Sequence, residues 1–440
     1  MKNLNYIVLL IIGIINASVS ADEYHYKDIL IGDRAAGLGG TYVAVSDDPS
    51  GMYYNPAGIV YAASQKLSAS MNTYNIRKTT YKNALAGKDW VRSSSLLLPN
   101  FFGVTQPLGV GTFGISYAIP DSAIEDQDQT IPLDISPNDG NNATTDFTIN
   151  FNNQDNTYNA GPSFALKISK NLSMGITLYG YTRIQEQIFN QVFEAPLSHN
   201  DIAAVEATET IAAVDAVVNT EDVYHMENLY ISRKEYGIKP IFGIMYTPYE
   251  KISLGITFSN TWMLSNTIVR QEVCASTLRN INTTLCKQGE LNRLKTEFEG
   301  TREFPWELAT GIAYFPSNTL MLTSDIVIYK GINATTKPMF NISAGIEYYL
   351  TKTFALRAGG FTNNANTPEL IPGVINRYPE HVDLKGGTIS LSNFTRSSSL
   401  SFGVVLTKGT GEAQVLSGSP NLQVTEILGI TAFMSASHSL

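Results

Sequence analysis

Little in this sequence lends itself to catalysis, to metal binding or to a helical crossing of a bilayer. Its 440 residues hold two cysteines, three tryptophans and five histidines, and charged residues make up only 16% of the chain. The histidines (His25, His199, His225, His381, His438) are scattered, and none accompanies a nucleophile motif such as G-x-S-x-G. No stretch reaches the roughly 18 apolar residues that mark a spanning helix. No Pro- or Ser-rich linker divides the chain, so it reads as one unit. A net charge of -9 argues against nucleic acid and anionic lipid surfaces as partners. The expectation is a non-enzyme without cofactor or metal.

Two cysteines in an even pair, Cys274 and Cys286, are twelve positions apart in a polar stretch. In an exported chain that spacing reads as a local disulfide. A metal site is set aside because no His or Cys companions flank the pair. Export itself is read from the N-terminus: Lys2, an apolar run from Ile7 to Ile15, then "NASVSA" before Asp22. That order of charge, short apolar core and small residues predicts a signal peptide over 1–21.

What the chain does have is glycine (34), tyrosine (23) and a persistent period of two. In 252–263, Ile252, Leu254, Ile256 and Phe258 alternate with Ser253, Gly255, Thr257 and Ser259. The same split recurs in 319–329 and 340–348. Such alternation marks strands with one apolar and one small or polar face. A soluble sandwich would carry Lys and Glu on its outer face. Gly, Ser, Thr and Asn instead suit a crowded lumen, with the apolar parity toward lipid. Aromatics near strand ends (Tyr117, Tyr246, Trp262, Trp306, Tyr314, Tyr348) fall where interfacial girdles belong.

About fourteen strands can be counted from 66 to 438, joined alternately by tight turns and long polar loops over 121–156, 190–228, 273–302 and 364–383. The fold class expected is an all-β transmembrane antiparallel barrel in a bacterial outer membrane, its short turns periplasmic. Outer-membrane lipids are its surroundings, and a monomer is expected. The terminal "FMSASHSL" departs from the aromatic ending common in such barrels, though Phe433 and Met434 lie close by.

Residues 34–58, "RAAGLGGTYVAVSDDPSGMYYNPAG", precede the first strand. Gly37, Gly39 and Gly40 hint at a phosphate cradle, but neither G-x-G-x-x-G nor G-x-x-x-x-G-K-[ST] is present. Asn55 can cap a helical turn with Pro56 at its first position, and Ala57 and Gly58 allow close backbone packing. This stretch resembles the N-terminal region of the FadL/TodX family of outer-membrane long-chain fatty acid and hydrocarbon transporters. Weaker echoes are "WELATGIAYFPS", "SDIVIY" and "SAGIEYYLTKTFALRAGGF". The resemblance implies a fourteen-stranded barrel over 65–440 and a luminal plug, or hatch, over 22–64. Asn55, Pro56 and Ala57 match the family's hatch motif, and the ligand would be a hydrophobic small molecule leaving sideways near the third strand. Gly114 is the expected kink there, with Gly109 and Gly111 beside it.

Three more groups of residues follow from this layout. Arg34 needs buried partners, and Glu307, Asp325, Glu347 and Arg357 share the luminal parity. Glu307 and Asp325 are expected to face each other, with Arg34 or Arg357 between them. In the loop 190–228, Asp201 would cap a helix presenting Ile202, Val205, Ala212, Val214 and Val218, a greasy landing site above the pore. Leu278, Ile281 and Leu285 in the disulfide loop would form a second wall. A non-transporting surface scaffold, receptor or secretion partner on the same barrel stays open as an alternative; an open porin is disfavoured by the plug.

Overall fold

Side chains in the strands alternate between membrane and lumen. Leu254, Ile256 and Phe258 are between a third and a half exposed, while Ser253, Thr257 and Ser259 are buried. The computed structural model describes residues 24–62, 66–85, 87–135, 143–195, 223–277, 285–331, 336–376, 378–415 and 420–439. They form a closed antiparallel barrel of fourteen strands.

The first six strands, β1 (Lys66–Leu85), β2 (Lys88–Leu108), β3 (Gly111–Ile135), β4 (Ala143–Lys167), β5 (Leu172–Ala195) and β6 (Val223–Tyr249), pair with their sequence neighbours. The seventh is in two pieces, β7 (Ile252–Ser259) and β8 (Trp262–Ser276), both paired with β6. The eighth is likewise split into β9 (Leu291–Glu299), on β8, and β10 (Glu307–Ser317), on β7. Six more complete the wall: β11 (Leu320–Tyr329), β12 (Met339–Tyr349), β13 (Phe354–Asn363), β14 (Glu380–Phe394), β15 (Ser398–Ala413) and β16 (Gln423–Ser439). Closure is between β1 and β16, from Lys66↔Ser439 to Tyr81↔Thr425. With both edges paired, the barrel satisfies its backbone in lipid.

Several strands reach further than their apolar alternation. Much of the expected loop 121–156 is ladder, since β3 and β4 pair as far as Ile135↔Ala143. Polar side chains such as Asp126, Asp128, Asn150 and Asn152 face outward on these extensions, while in β4 Phe147, Ile149 and Phe151 alternate with them and point inward, the reverse of the membrane-facing parity. Backbone pairing and side-chain bonds carry the register instead. Arg183 is bound to Asp155 across β4 and β5, Nε to Oδ1 at 2.8 Å, and both side chains are almost fully buried.

Candidate functional site

Residues 24–62 lie inside this wall. A short helix α1 (Asp33–Gly37) leads into Gly39 and Gly40, whose φ values of 72° and 79° let the chain reverse tightly. A second turn of helix, α2 (Gly51–Tyr54), and a 3₁₀ helix (Pro56–Tyr61) complete the segment. Asn55 organises the second half. Its Oδ1 accepts from Ala57 N at 3.1 Å, capping the 3₁₀ helix, while Nδ2 donates to Val43 O (2.7 Å) and to Ile244 O of β6 (3.1 Å).

Close approach of backbone to wall explains the luminal glycines. A Cβ on Gly359 of β13 would sit 2.2 Å from the Leu38 carbonyl carbon, and one on Gly175 of β5 would sit 2.5 Å from that of Pro56. Gly255 of β7 meets Val43 O in the same way at 2.1 Å. The segment therefore touches the wall on several sides. Its apolar residues, among them Ile31, Leu38, Tyr42 and Tyr54, build one core with Phe101, Ala118, Tyr179 and Ile241 of the strands.

Ion pairs add a second layer of attachment. Arg34 grips Glu347 with two bonds, Nε to Oε2 at 2.9 Å and Nη2 to Oε1 at 2.8 Å. Its Nη1 also donates to both oxygens of Asp47, at 2.7 and 2.9 Å. Arg357 Nε donates to the same Glu347 at 2.5 Å, so one buried carboxylate serves two guanidinium groups. Burial and the charges of Asp33 and Asp47 raise the pKa of the neighbouring Asp48 above the ordinary carboxylate range.

Glu307 and Asp325 do not form the facing pair expected from the sequence. The β10–β11 ladder sets Asp325 opposite Gly311, and Glu307 opposite Tyr329, because the turn is centred near residue 318. Asp325 instead accepts from Tyr42 N (2.6 Å) and Val43 N (2.9 Å), holding the segment by its backbone. Glu307 pairs with Lys27 at 2.5 Å, a partner the sequence reading missed because nothing local distinguishes that lysine.

Above the segment is a small pocket of about 70 Å³, partly open to solvent. Tyr26, Tyr53, Tyr181, Phe304 and Tyr329 line much of it, with the cations Lys239 and Arg302. Tyr26 and Tyr329 stack at 4.6 Å, and Lys239 Nζ lies 5.8 Å from the Tyr53 ring. Burial pushes the Tyr26 hydroxyl up to about 12.

A seam opens in the wall beside this core. Strands β2 and β3 pair from Leu108↔Gly111 to Phe101↔Ala118, then not again until Ser94↔Glu125. Residues 95–100 and 119–124 are left without ladder partners across the seam, although the register on either side is unchanged. Pro99 and Pro120 lie within it, and neither has an N–H to donate. Inward parity also switches here, from Ser94 and Leu96 to Phe101 and Gly103 in β2. The luminal segment is bonded to the seam: Ile29 N donates to Pro120 O and Asn100 Nδ2 to Leu30 O, both at 2.9 Å.

Gly114, the expected kink, is not part of this opening. It pairs regularly with Thr105 and Ser163, and its missing side chain makes room for Met52 Sδ, 2.4 Å from an ideal Cβ. Gly109 has φ 61° in the tight turn before β3. The loop-helix residues Ile202, Val205, Val214 and Val218 lie outside the described residues, as do Leu278 and Ile281 and the expected signal peptide. Cys274 and Cys286 are bonded, with Cα atoms 5.3 Å apart.

No protein-family model and no curated protein sequence matches this chain; the likeness to known proteins is structural. A FadL homologue of Pseudomonas aeruginosa superposes with a TM-score of 0.59 at 12% identity, over 94% of this chain and 99% of that one. The P. putida toluene transporter TodX gives 0.60 at 13% identity, covering 94% and 99%. The Ralstonia pickettii toluene transporter TbuX gives 0.53 at 12%, covering 93% and 98%. At such identities it is architecture that is shared, and the chain has the fold of the FadL/TodX-type channels.

Proposed function

We propose that this protein is an outer-membrane channel through which hydrophobic small molecules enter passively, with residues 24–62 as its hatch and the β2–β3 seam as a sideways exit. The observation that carries this reading is the seam itself, two prolines interrupting a ladder whose register is otherwise continuous, bonded to the hatch at Ile29 and Leu30. A molecule leaving there passes from lumen to lipid without crossing the filled lower barrel. The aromatic pocket above the hatch is where this reading places a waiting ligand, and it must widen on binding to hold one. The rings suit a bare hydrocarbon; Lys239 and Arg302 would meet an acidic head group only in competition with Glu235, which pairs with Arg302 at 2.8 Å, and with Asp121 and Glu307 in the same lining. Solved channels of this fold include toluene transporters, which supports the hydrophobic class and leaves the choice within it to measurement. Transit on this reading involves no covalent step, and so no catalytic residue.

The test is uptake of a labelled long-chain fatty acid and of a monoaromatic hydrocarbon by cells expressing the chain, compared with a Pro99→Thr/Pro120→Thr variant that regains two amide donors. Uptake by the parent and a several-fold loss in the variant are expected, with barrel folding unchanged on heat-modified gels. Equal uptake by both would remove the seam from the pathway. No uptake of either compound would favour a non-transporting surface role.

A further inference from the structure

The upper ends of β6 and β8 bring together four side chains that nothing in the transport reading uses. His225 and Glu227 project from β6, Cys274 faces them from β8, opposite Glu227 in the ladder, and Cys286 returns from the loop beyond. All four are buried, and their ligand atoms lie within 4.8 Å of one another. The cysteines are disulfide-bonded.

Two features of this cluster are unexplained by a disulfide alone. His225 is 1% exposed, yet neither ring nitrogen has a hydrogen-bond partner among the described residues. Glu227 Oε1 is 3.5 Å from His225 Nε2 and points at Cys286 Sγ, 2.9 Å away, an atom with no proton to give while it is in the disulfide. Glu227 Oε2 is oriented from behind by the amide of Gln191. Buried polar groups are normally paired, so an imidazole and a carboxylate oxygen both aimed at two sulfur atoms point to a missing cation.

We propose that when Cys274 and Cys286 are reduced, they form with His225 and Glu227 a four-coordinate site for a zinc-class divalent ion. Two thiolates, an imidazole and a carboxylate are a donor set for zinc or cobalt rather than for calcium or magnesium, which take oxygen ligands. Gln191 then acts as the outer partner that fixes the carboxylate. The chemistry balances with a phosphine reductant: disulfide, phosphine and water give two thiols and the phosphine oxide. A divalent ion then displaces the two thiol protons. The short loop between the cysteines is thus closed in either state, by a covalent bond or by an ion.

The test uses the full chain in detergent. Reduced chains are refolded with or without Co²⁺, so access of reductant to the buried bond does not decide the result, and the phosphine is removed before metal is added. One cobalt per reduced chain is expected, with a near-ultraviolet thiolate-to-metal band displaced by Zn²⁺. The oxidised chain and a Cys274→Ser/Cys286→Ser variant should lack it. Gln191→Leu should weaken binding by about tenfold, as loss of an outer partner does, and His225→Ala by more. Bound metal should also protect both thiols from alkylation. The proposal is overturned if reduced, refolded protein takes up no more cobalt than the double-serine variant, if its spectrum shows no thiolate band, or if His225→Ala binds as tightly as the parent. Failure of refolding in reduced chains both with and without metal would equally overturn it, because the ion is then no substitute for the bond.

Discussion

Ile29 donates its backbone N–H to the carbonyl of Pro120 at 2.9 Å, joining the luminal segment to β3 where its ladder with β2 is interrupted. The bond ties a mid-strand stretch of β3 that lacks a β2 partner to a segment proposed to move. Replacing Ile29 with proline removes the donor and nothing else polar. The lost bond alone contributes about 1 kcal/mol, roughly fivefold more of the opened state, and the loss of the buried Ile29 side chain from the core adds to it. Faster amide exchange over 24–31 and faster uptake should appear together. Faster exchange with unaltered uptake would separate the segment's mobility from transport.

Arg34 links this segment to β12 through Glu347. Reversing its charge with Arg34→Glu places a third carboxylate beside Glu347 and Asp47. Breaking a buried pair in this way costs about 3–5 kcal/mol, here softened because Arg357 still holds Glu347. Hydrogen exchange at 35–46 should accelerate strongly while the strands keep their protection. Unchanged exchange there would mean that the ion pair contributes nothing to holding the segment.

Glycines of the wall offer a matched pair of substitutions. Gly359→Ala drives a methyl group into the backbone of Leu38 and Gly39, at 2.2 and 2.4 Å, whereas Gly387→Ala meets only Gly359 O at 3.8 Å. The first should displace the segment and raise single-channel conductance in planar bilayers. The second should leave conductance at the parent level. Equal conductance in the two variants would contradict the close packing described here.

Acidity should tighten the segment through Asp48. A carboxyl whose folded pKa is raised favours folding most when protonated, so its contribution is complete below the unfolded value and is lost as pH rises through the folded one. Moving from neutral pH toward about pH 4, the unfolded carboxylate range, should therefore slow amide exchange at 47–52. Asp48→Asn keeps an acceptor for Ser50 N and should give slow exchange at neutral pH with a flatter pH dependence. An Asn variant that exchanges faster than the parent at neutral pH would reverse the sign assigned to this group.

The barrel was legible because its membrane-facing parity is apolar over most strands, a pattern that needs no knowledge of partners. Its polar extensions were less so: 121–135 in β3 is mostly polar, and in β4 the alternating Phe147, Ile149 and Phe151 point inward, opposite to the apolar parity of the membrane span. Pro99 and Pro120 are each visible as ladder breakers, but only the register of β2 on β3 sets them in one opening, and attention fell on Gly114 instead. The error over Glu307 and Asp325 came from the turn, where a shift of four residues changes which carboxylate meets which strand. His225 and Glu227 are some fifty residues from the cysteines in sequence, so the cluster exists only once β6 and β8 are paired.

The intimate fit of backbone against Gly359, Gly175 and Gly255 restricts how the barrel can open. On the proposed reading, a segment keyed into β5, β7 and β13 on different sides of the wall opens by peeling rather than by travelling along the axis like a piston. The stretch before Ile31 lies against the seam and is held by separate contacts, Lys27 to Glu307, Asp28 to Arg77, Ile29 to Pro120 and Leu30 to Asn100 among them, which such a movement would break in turn.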